Sequence, residues 1–337
     1  MTGSSDRARD RFVSLDAIRA VACLMVVACH ISLYQGDTSL GGLKNGVTLF
    51  FALSGYLLYR PFVVADVDLR RYAVHRITRI MPAYLLALVG VTLLTGASTF
   101  LDQPLVYLLF LQNYDLRLWQ GFLGVSWTLV IEVLFYLTLP ALALVVAKSP
   151  MRLTVITGCS ALGAVAVILF IPTTDARLTS SVFPLMLWSF APGMFVALLE
   201  GQIRWAARPM TLVLGVALLA AGTQSAWASV DVASGFGAFF VIAWAVERRP
   251  SLGIAAVPAS IGAALTYSIY LWHVDLLRVI PSTPVALLVV VVVAGLAYLL
   301  VERPFINIGR VLARPLVREP RGTISVLEGP AVVSADA

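Results

Sequence analysis

The first apolar segment of the chain, residues 14–34, contains an acid, a base and an imidazole: Asp16, Arg19 and His30. At about 100° per residue, Arg19 and His30 point within ~20° of each other on a helix, about 16 Å apart along its axis. A charge near the middle of a membrane costs at least ~2.5–3.5 kcal/mol. This polar stripe therefore faces a protein interior or a water-filled cavity. A structural Asp–Arg pair with a separate core histidine is the alternative.

A second candidate lies in SWTLVIEVLFYLTLP, where Glu132 stands about two helical turns from the start of the segment and Tyr136 follows on the same face. The depth of Glu132 is similar to that of His30 on the oppositely directed first helix. A buried carboxylate beside an imidazole raises its basicity and selects its tautomer, as general-base catalysis requires. We therefore predict that Glu132 holds His30. A salt bridge that only stabilises the helix bundle is the alternative.

Basic residues cluster in DLRRYAVHRITRIMPAY, an amphipathic segment that contains Arg71, Arg76 and Arg79. Arg76 and Arg79 are neighbours on one helical face, and their forked guanidinium groups suit phosphate oxygens. Charge alone favours a simpler interpretation, in which these residues set membrane topology or attract anionic lipid headgroups. Pro82 is predicted to end this amphipathic helix.

Two further segments contribute polar side chains. Ser54-Gly55 in GVTLFFALSGYLLYRPF is a small pair that predicts close helix packing. Trp272, His273 and Asp275 in LTYSIYLWHVDLLRVI fit either a site or an interfacial aromatic belt with polar helix ends. The chain has three histidines, none of them grouped with cysteines or carboxylates at ligand spacing, so no metal site is predicted.

The scaffold that positions these residues is membrane-embedded. Of the 337 residues, 60% are hydrophobic and 12% charged, whereas a soluble globular protein is nearer one-quarter charged. Ten apolar runs of helical length fall at roughly 12–34, 46–64, 82–97, 126–147, 152–171, 181–200, 209–228, 231–247, 259–279 and 284–302. We therefore predict an all-α integral membrane protein with about ten transmembrane helices.

The distribution of basic residues predicts the orientation. Lys44, Arg117, Arg177 and Arg278 fall on one side of the predicted spans, and the other side holds the remaining 20 of the 24 lysines and arginines. This bias predicts that both termini are cytoplasmic. It also accounts for the net charge of +6 without nucleic acid as a partner. We divide the chain into a cytoplasmic tail (1–11), a membrane domain (12–305) and a second cytoplasmic tail (306–337), which is predicted to be disordered.

Six segments, in this order, closely resemble acyltransferase family 3, the bacterial integral-membrane O-acyltransferases. They are LDAIRAVACLMVVACH, GVTLFFALSGYLLYRPF, RRYAVHRITRIMPAYLLAL, SWTLVIEVLFYLTLPAL, TYSIYLWH and VERPF, and they run from residue 15 to 305. Each is a weak apolar pattern alone, but six in the right order are specific. Thr48 stands where the family more often has an acid, and Val133 stands where a second acid often follows the first. This leaves Glu132 as the candidate functional carboxylate.

The resemblance implies transfer of an acyl group, often acetyl, from a cytoplasmic acyl-CoA to a hydroxyl of a carbohydrate or other glycosylated acceptor. Polysaccharide, peptidoglycan, glycolipid and glycosylated metabolite acceptors all remain open. The implied location is the bacterial plasma membrane, with no bound cofactor. Some members carry an additional soluble domain; we expect only the membrane domain in this chain.

The family's Arg-x10-His and Arg-x-x-Arg signatures carry over to Arg19, His30, Arg76 and Arg79. The arginines of the amphipathic segment would bind donor phosphates, with Arg71 joining them. Arg19 would clamp the donor and His30 would act as general base, or alternatively as the carrier of a covalent acyl intermediate. Supporting positions are expected at Asp16, Ser54, Trp127, Tyr136 and His273.

Two other classes of protein compete with the enzyme. A proton-coupled transporter would also keep buried acids, arginines and histidines within its spans. It would move a substrate without consuming acyl-CoA, and it often contains an inverted repeat, which this sequence does not display. A membrane scaffold protein would need no polar stripe at membrane depth.

Overall fold

The computed structural model describes residues 2–96, 98–115, 118, 122–170, 182–222 and 231–313. Within these residues the chain forms helices and no β-strand. The helices are α1 (Thr2–Tyr34), α2 (Gly46–Val64), α3 (Leu69–Thr95), α4 (Thr99–Asp102), α5 (Pro104–Leu108), α6 (Ser126–Val146), α7 (Pro150–Phe170), α8 (Phe183–Met186), α9 (Ala191–Leu199), α10 (Pro209–Ala221), α11 (Val232–Arg248), α12 (Ala256–Val279), α13 (Thr283–Ala297) and α14 (Arg303–Leu312). A π-helical turn, Tyr298–Glu302, joins the last two.

Seven helical stretches in the described part of the chain are long and apolar enough to cross a membrane. They are Val13–Tyr34, Gly41–Val64, Leu69–Thr95, Ser126–Val146, Pro150–Val167, Gly253–Val279 and Thr283–Leu312. The remaining apolar helices are shorter: Phe183–Leu199 and Pro209–Ala221. The chain is therefore an all-α, multi-pass membrane protein. The count of ten spans and the cytoplasmic position of both termini stay predictions.

The surface of the bundle carries large apolar side chains, as a lipid-facing surface requires. Leu93 and Leu144 are each 80% exposed, and Phe170 is 81% exposed. Apolar exposure over whole helical faces marks contact with lipid or with another protein. Arg19 and Glu132 lie instead between the helices, where they line an internal cavity and are kept away from lipid.

Close packing of α2 against α9 depends on glycine. A Cβ on Gly55 would clash with the carbonyl oxygen of Phe190, and a Cβ on Gly193 would clash with that of Ala52. The Ser54-Gly55 pair was predicted to allow such an approach, and this prediction is confirmed. The close contact fixes the face of α2 on which Ser54 lies.

The prediction that Pro82 ends an amphipathic helix is wrong, because α3 continues through it from Leu69 to Thr95. Proline removes one backbone hydrogen bond, but membrane helices tolerate it where neighbouring helices surround the freed groups. The residues that follow it, Ala83 and Tyr84, are fully packed in the core. Arg76 and Arg79 therefore stand on a membrane-spanning helix rather than on a separate surface helix.

The helices extend beyond the predicted edges of the membrane domain at both ends. α1 begins at Thr2, inside the segment predicted as an N-terminal tail, and α14 continues past residue 305 to Leu312. The tail was predicted to be disordered from residue 306, but residues 306–312 are helical; residues 314–337 lie outside the described residues.

Candidate active site

A cavity of about 270 Å³ lies among α1, α2, α3, α6 and α12. Each of these five helices contributes side chains to its wall, so residues far apart in the sequence meet there. The charged and hydroxyl groups that were predicted from the sequence and line this cavity are Arg19, Ser54, Arg76, Arg79, Glu132 and Tyr136.

Three guanidinium groups line the cavity. Arg19 comes from α1, and Arg76 and Arg79 come from α3; Arg19 and Arg79 are close enough to repel each other electrostatically. The Arg76 guanidinium lies 5.7 Å from the ring centre of Tyr136 and 6.0 Å from that of Tyr72. Its buried Nε has no hydrogen-bond partner among the described residues. Guanidinium groups held in this way suit phosphate or carboxylate oxygens.

A side-chain cap marks the start of α3, shortly before its arginines. The Asp68 side chain accepts a hydrogen bond from the Arg71 backbone N–H at 3.1 Å, which starts the helix. From this start, Arg76 and Arg79 project into the cavity, whereas the exposed Arg71 side chain is outside its wall. The structure thus brings together two of the three arginines predicted to bind the donor.

Glu132 is bound by hydroxyl groups on two helices. Its Oε1 accepts hydrogen bonds from Ser54 Oγ at 2.8 Å and from Tyr136 Oη at 2.5 Å. It also attracts Arg19 electrostatically. The structure does not bring Glu132 and His30 together as the sequence predicted. The reason is that α12, not α6, packs most extensively along α1.

The partner of His30 is a second histidine. His273 Nε2 lies 3.2 Å from His30 Nδ1, and the two ring centres are 5.0 Å apart. His30 Nδ1 also lies 2.9 Å from the Val26 carbonyl oxygen, and His273 Nδ1 lies 2.9 Å from the Tyr270 carbonyl oxygen. His273 is fully buried.

These contacts select the tautomer of both rings. A carbonyl oxygen only accepts, so Nδ1 carries the proton in each ring. His273 Nε2 then carries a lone pair, and it shares the single proton of His30 Nδ1 with the Val26 carbonyl oxygen. His30 Nε2 is therefore unprotonated. It has no hydrogen-bond partner among the described residues, and it is not among the fully buried polar atoms. This is the form of imidazole that can take a proton from a hydroxyl group.

Tyr270 connects the histidine pair to the cavity. Its side chain lines the cavity, and its ring centre lies 5.7 Å from that of His273. Its hydroxyl lies 2.6 Å from Thr128 Oγ1, which also lines the cavity and hydrogen-bonds to the Val125 carbonyl oxygen. The histidine pair therefore stands directly behind one end of the cavity wall.

The remaining predicted residues lie around the cavity rather than in its wall. Asp16 accepts a hydrogen bond from Ser260 Oγ at 3.3 Å and attracts Arg19. Trp127 is half-buried, and its carbonyl oxygen accepts from the Asn113 amide at 2.8 Å.

The polar residues of this region that were not predicted from the sequence include Thr128, Tyr267, Tyr270 and Glu302. Tyr267, Tyr270 and His273 follow one another at three-residue spacing, which places them on one helical face and could have indicated a site. Glu302 is buried at the π-helical turn, where Ser268 Oγ donates a hydrogen bond to it. Glu302 is the acid of VERPF, and an acid that directly follows a long apolar run was a comparable signal.

Comparisons with known proteins agree with this architecture. A family model described as an acyltransferase domain matches residues 12–302. Nodulation protein 10 of Rhizobium leguminosarum is 26% identical over 68% of this chain and 70% of its own length. Peptidoglycan O-acetyltransferase OatA of Listeria monocytogenes is 28% identical over 48% of this chain and 30% of its own length. Acyltransferase MdmB of Streptomyces mycarofaciens is 30% identical over 55% of this chain and half of its own length. No solved structure gives a significant match.

The family model covers most of the chain, including every segment that builds the cavity and the histidine pair. The prediction of a membrane acyltransferase is confirmed. The protein belongs to acyltransferase family 3 and is a multi-pass membrane O-acyltransferase.

Proposed function

We propose that the protein transfers an acetyl group from acetyl-CoA to a hydroxyl of a carbohydrate or glycosylated acceptor, with His30 as general base. The main support is one arrangement: a cavity with three arginines at one end has an unprotonated imidazole nitrogen behind the other. Acetyl-CoA carries phosphates that the arginines could bind. Its thioester carbonyl, at the other end of the molecule, would then lie near the imidazole.

The donor would bind with its phosphates at the arginines. Arg76 and Arg79 offer forked N–H groups, and the free Nε of Arg76 is one donor that phosphate oxygens could use. Arg19 stands further along the same wall and would hold the donor as it passes into the bundle. Glu132 limits the excess of positive charge in the cavity. Arg71, at the exposed start of α3, would meet the donor outside.

The transfer itself needs one base and one leaving group. His30 Nε2 would take the proton from the acceptor hydroxyl while the hydroxyl oxygen attacks the thioester carbonyl. The C–O bond forms, the C–S bond breaks, and the CoA thiolate leaves and takes up the proton from the imidazolium. His273 would keep the His30 ring in place through Nδ1. Transfer through an acyl-histidine would use the same Nε2 as nucleophile.

The acceptor class is supported by the relatives. The name of OatA describes a peptidoglycan O-acetyltransferase, and MdmB is named as an acyltransferase. We infer a carbohydrate-bearing acceptor, and a bacterial plasma membrane as the location. The arginine end of the cavity would face the cytoplasm, where acyl-CoA is made, in agreement with the positive-inside bias.

Mass spectrometry tests the proposal directly. Cell-wall glycans, lipids and secreted glycosides would be compared between cells that make the active protein and cells that make the His30→Ala variant. Purified protein in lipid nanodiscs would be titrated with acetyl-CoA in parallel. We expect an acetyl ester that is present only with the active protein, together with measurable binding of acetyl-CoA. Binding without any acyl product would contradict the proposed reaction.

Replacing both Arg76 and Arg79 with alanine is expected to weaken donor binding. A hydrogen bond to a charged group contributes ~1.5–3 kcal/mol, so the Kd for acetyl-CoA should rise at least about tenfold. Titration of protein in nanodiscs measures this. Arg70→Ala is the matched control, because Arg70 is exposed near the start of the same helix and outside the cavity. An equal loss of affinity in the control would assign the effect to surface charge.

Replacing Glu132 with glutamine tests the contact that the sequence predicted. Glutamine keeps an oxygen that accepts from Ser54 and Tyr136 but removes the charge. Because Glu132 does not touch His30, the acid limb of the pH–rate profile should stay where it is, while the rate falls with the loss of attraction to Arg19. A shift of the acid limb to lower pH would instead show that Glu132 stabilises the protonated imidazole during turnover.

A further inference from the structure

The cavity changes character along its length. α2 runs from the histidine end to the arginine end, and at ~1.5 Å per residue Val47 and Leu58 are about 16 Å apart along its axis. Both line the cavity, so the cavity follows the helix over this distance. Ser54 and Glu132 stand in the middle, joined by their hydrogen bond. The cavity is therefore a passage with a defined direction.

The histidine end of this passage is apolar. Its wall contains Val47, Phe50, Phe51 and Leu129, which offer only carbon atoms. The two hydroxyl groups at this end, those of Thr128 and Tyr270, are hydrogen-bonded to each other. The single proton of Thr128 is used on the Val125 carbonyl oxygen, so Tyr270 donates to Thr128 and leaves no free donor for a ligand.

An apolar chamber next to the histidine pair fits the tip of a thioester donor. If the phosphates lie at Arg76 and Arg79, the acyl group reaches the wall that Tyr270 shares with His273. Resting on the proposed function, we propose that Val47, Phe50 and Leu129 form the acyl-group pocket, and that Phe50 limits the donor to short acyl chains.

Phe50 can set this length because of how it is packed. It is half-buried, lines the chamber, and turns its ring edge-on to Tyr270 at a distance of 6.0 Å between ring centres. Phe51 is only 3% exposed, and its ring packs on Phe190 with 4.9 Å between centres, so it belongs to the core. Removing the Phe50 ring would extend the chamber toward Tyr270, while Phe51 would stay packed on Phe190.

The test compares acetyl-, butyryl- and hexanoyl-CoA on purified protein in nanodiscs, by titration and by transfer rate. One methylene in an apolar pocket changes discrimination by roughly 10–200-fold. We expect the unaltered protein to favour acetyl-CoA. In Phe50→Ala the ratio of hexanoyl-CoA to acetyl-CoA affinity should rise at least about tenfold. Phe50→Leu and Val47→Ala should shift the ratio in the same direction but by a smaller factor. They replace Phe50→Ala in the test if that variant does not fold.

Phe239→Ala is the matched control. Phe239 is also half-buried and lies edge-on to another aromatic ring, that of Phe240, but it is outside the cavity wall. Its chain-length ratio should equal that of the unaltered protein. If acetyl-CoA binds but none of the Phe50 and Val47 variants changes the ratio, the acyl pocket is not here and the proposed function stands. If no acyl-CoA binds to the unaltered protein, both proposals fail together.

Discussion

Replacing His30 with alanine is expected to lower the rate of acyl transfer by ~10²–10⁴-fold, the usual contribution of a general base. The binding of acetyl-CoA should change little, because the proposed contacts to its phosphates are made by Arg76 and Arg79 rather than by His30. The rate would be measured as CoA release and as acyl product, on protein confirmed to be folded and inserted. His30 Nε2 is the free nitrogen on which this expectation rests.

His75→Ala is the matched control for this experiment. His75 lies on α3 and is partly exposed, outside the cavity wall, so its removal should leave the rate near that of the unaltered protein. A folded His30→Ala variant that turns over at a normal rate would remove His30 from the chemistry. The base would then have to be sought among the groups that line the cavity, with Glu132 first.

Replacing His273 with alanine should slow transfer through its effect on His30. His273 Nε2 accepts from His30 Nδ1, and His273 is fully buried, so its loss leaves the His30 ring held by the Val26 carbonyl oxygen alone. One hydrogen bond contributes ~0.5–1.5 kcal/mol, which corresponds to about 2–13-fold in rate. The fall should appear in kcat, with little change in the KM for acetyl-CoA.

His273→Gln separates positioning from general damage to the bundle. The glutamine side-chain oxygen can accept the His30 proton, so this variant should recover a large part of the lost rate, while His273→Ala does not. Thermal unfolding of both variants would be followed in parallel. Equal activity of the two variants, or a loss that follows thermal stability alone, would mean that His273 only fills space in the core.

The amino-acid sequence determined the membrane class, the family and the stripe on the first helix. Long apolar runs broken by basic connections have few solutions other than membrane helices, because a bare backbone polar group in lipid is too costly. The faces of Arg19 and His30, and of Arg76 and Arg79, follow from the helical repeat within one segment. Local periodicity was sufficient for these residues, and the structure brings Arg19, Arg76 and Arg79 to one cavity.

Contacts between helices were decided only by the tertiary structure. Glu132 and His273 are both at a suitable depth to meet His30, and periodicity does not rank them. His30 contacts His273, which lies 243 residues later in the chain, because α12 packs along α1. The tertiary structure also decides that α3 continues through Pro82, because the packing of the following turn offsets the missing backbone hydrogen bond. The helical repeat acts within about one turn, whereas the neighbours of a helix are selected by the fit of whole surfaces.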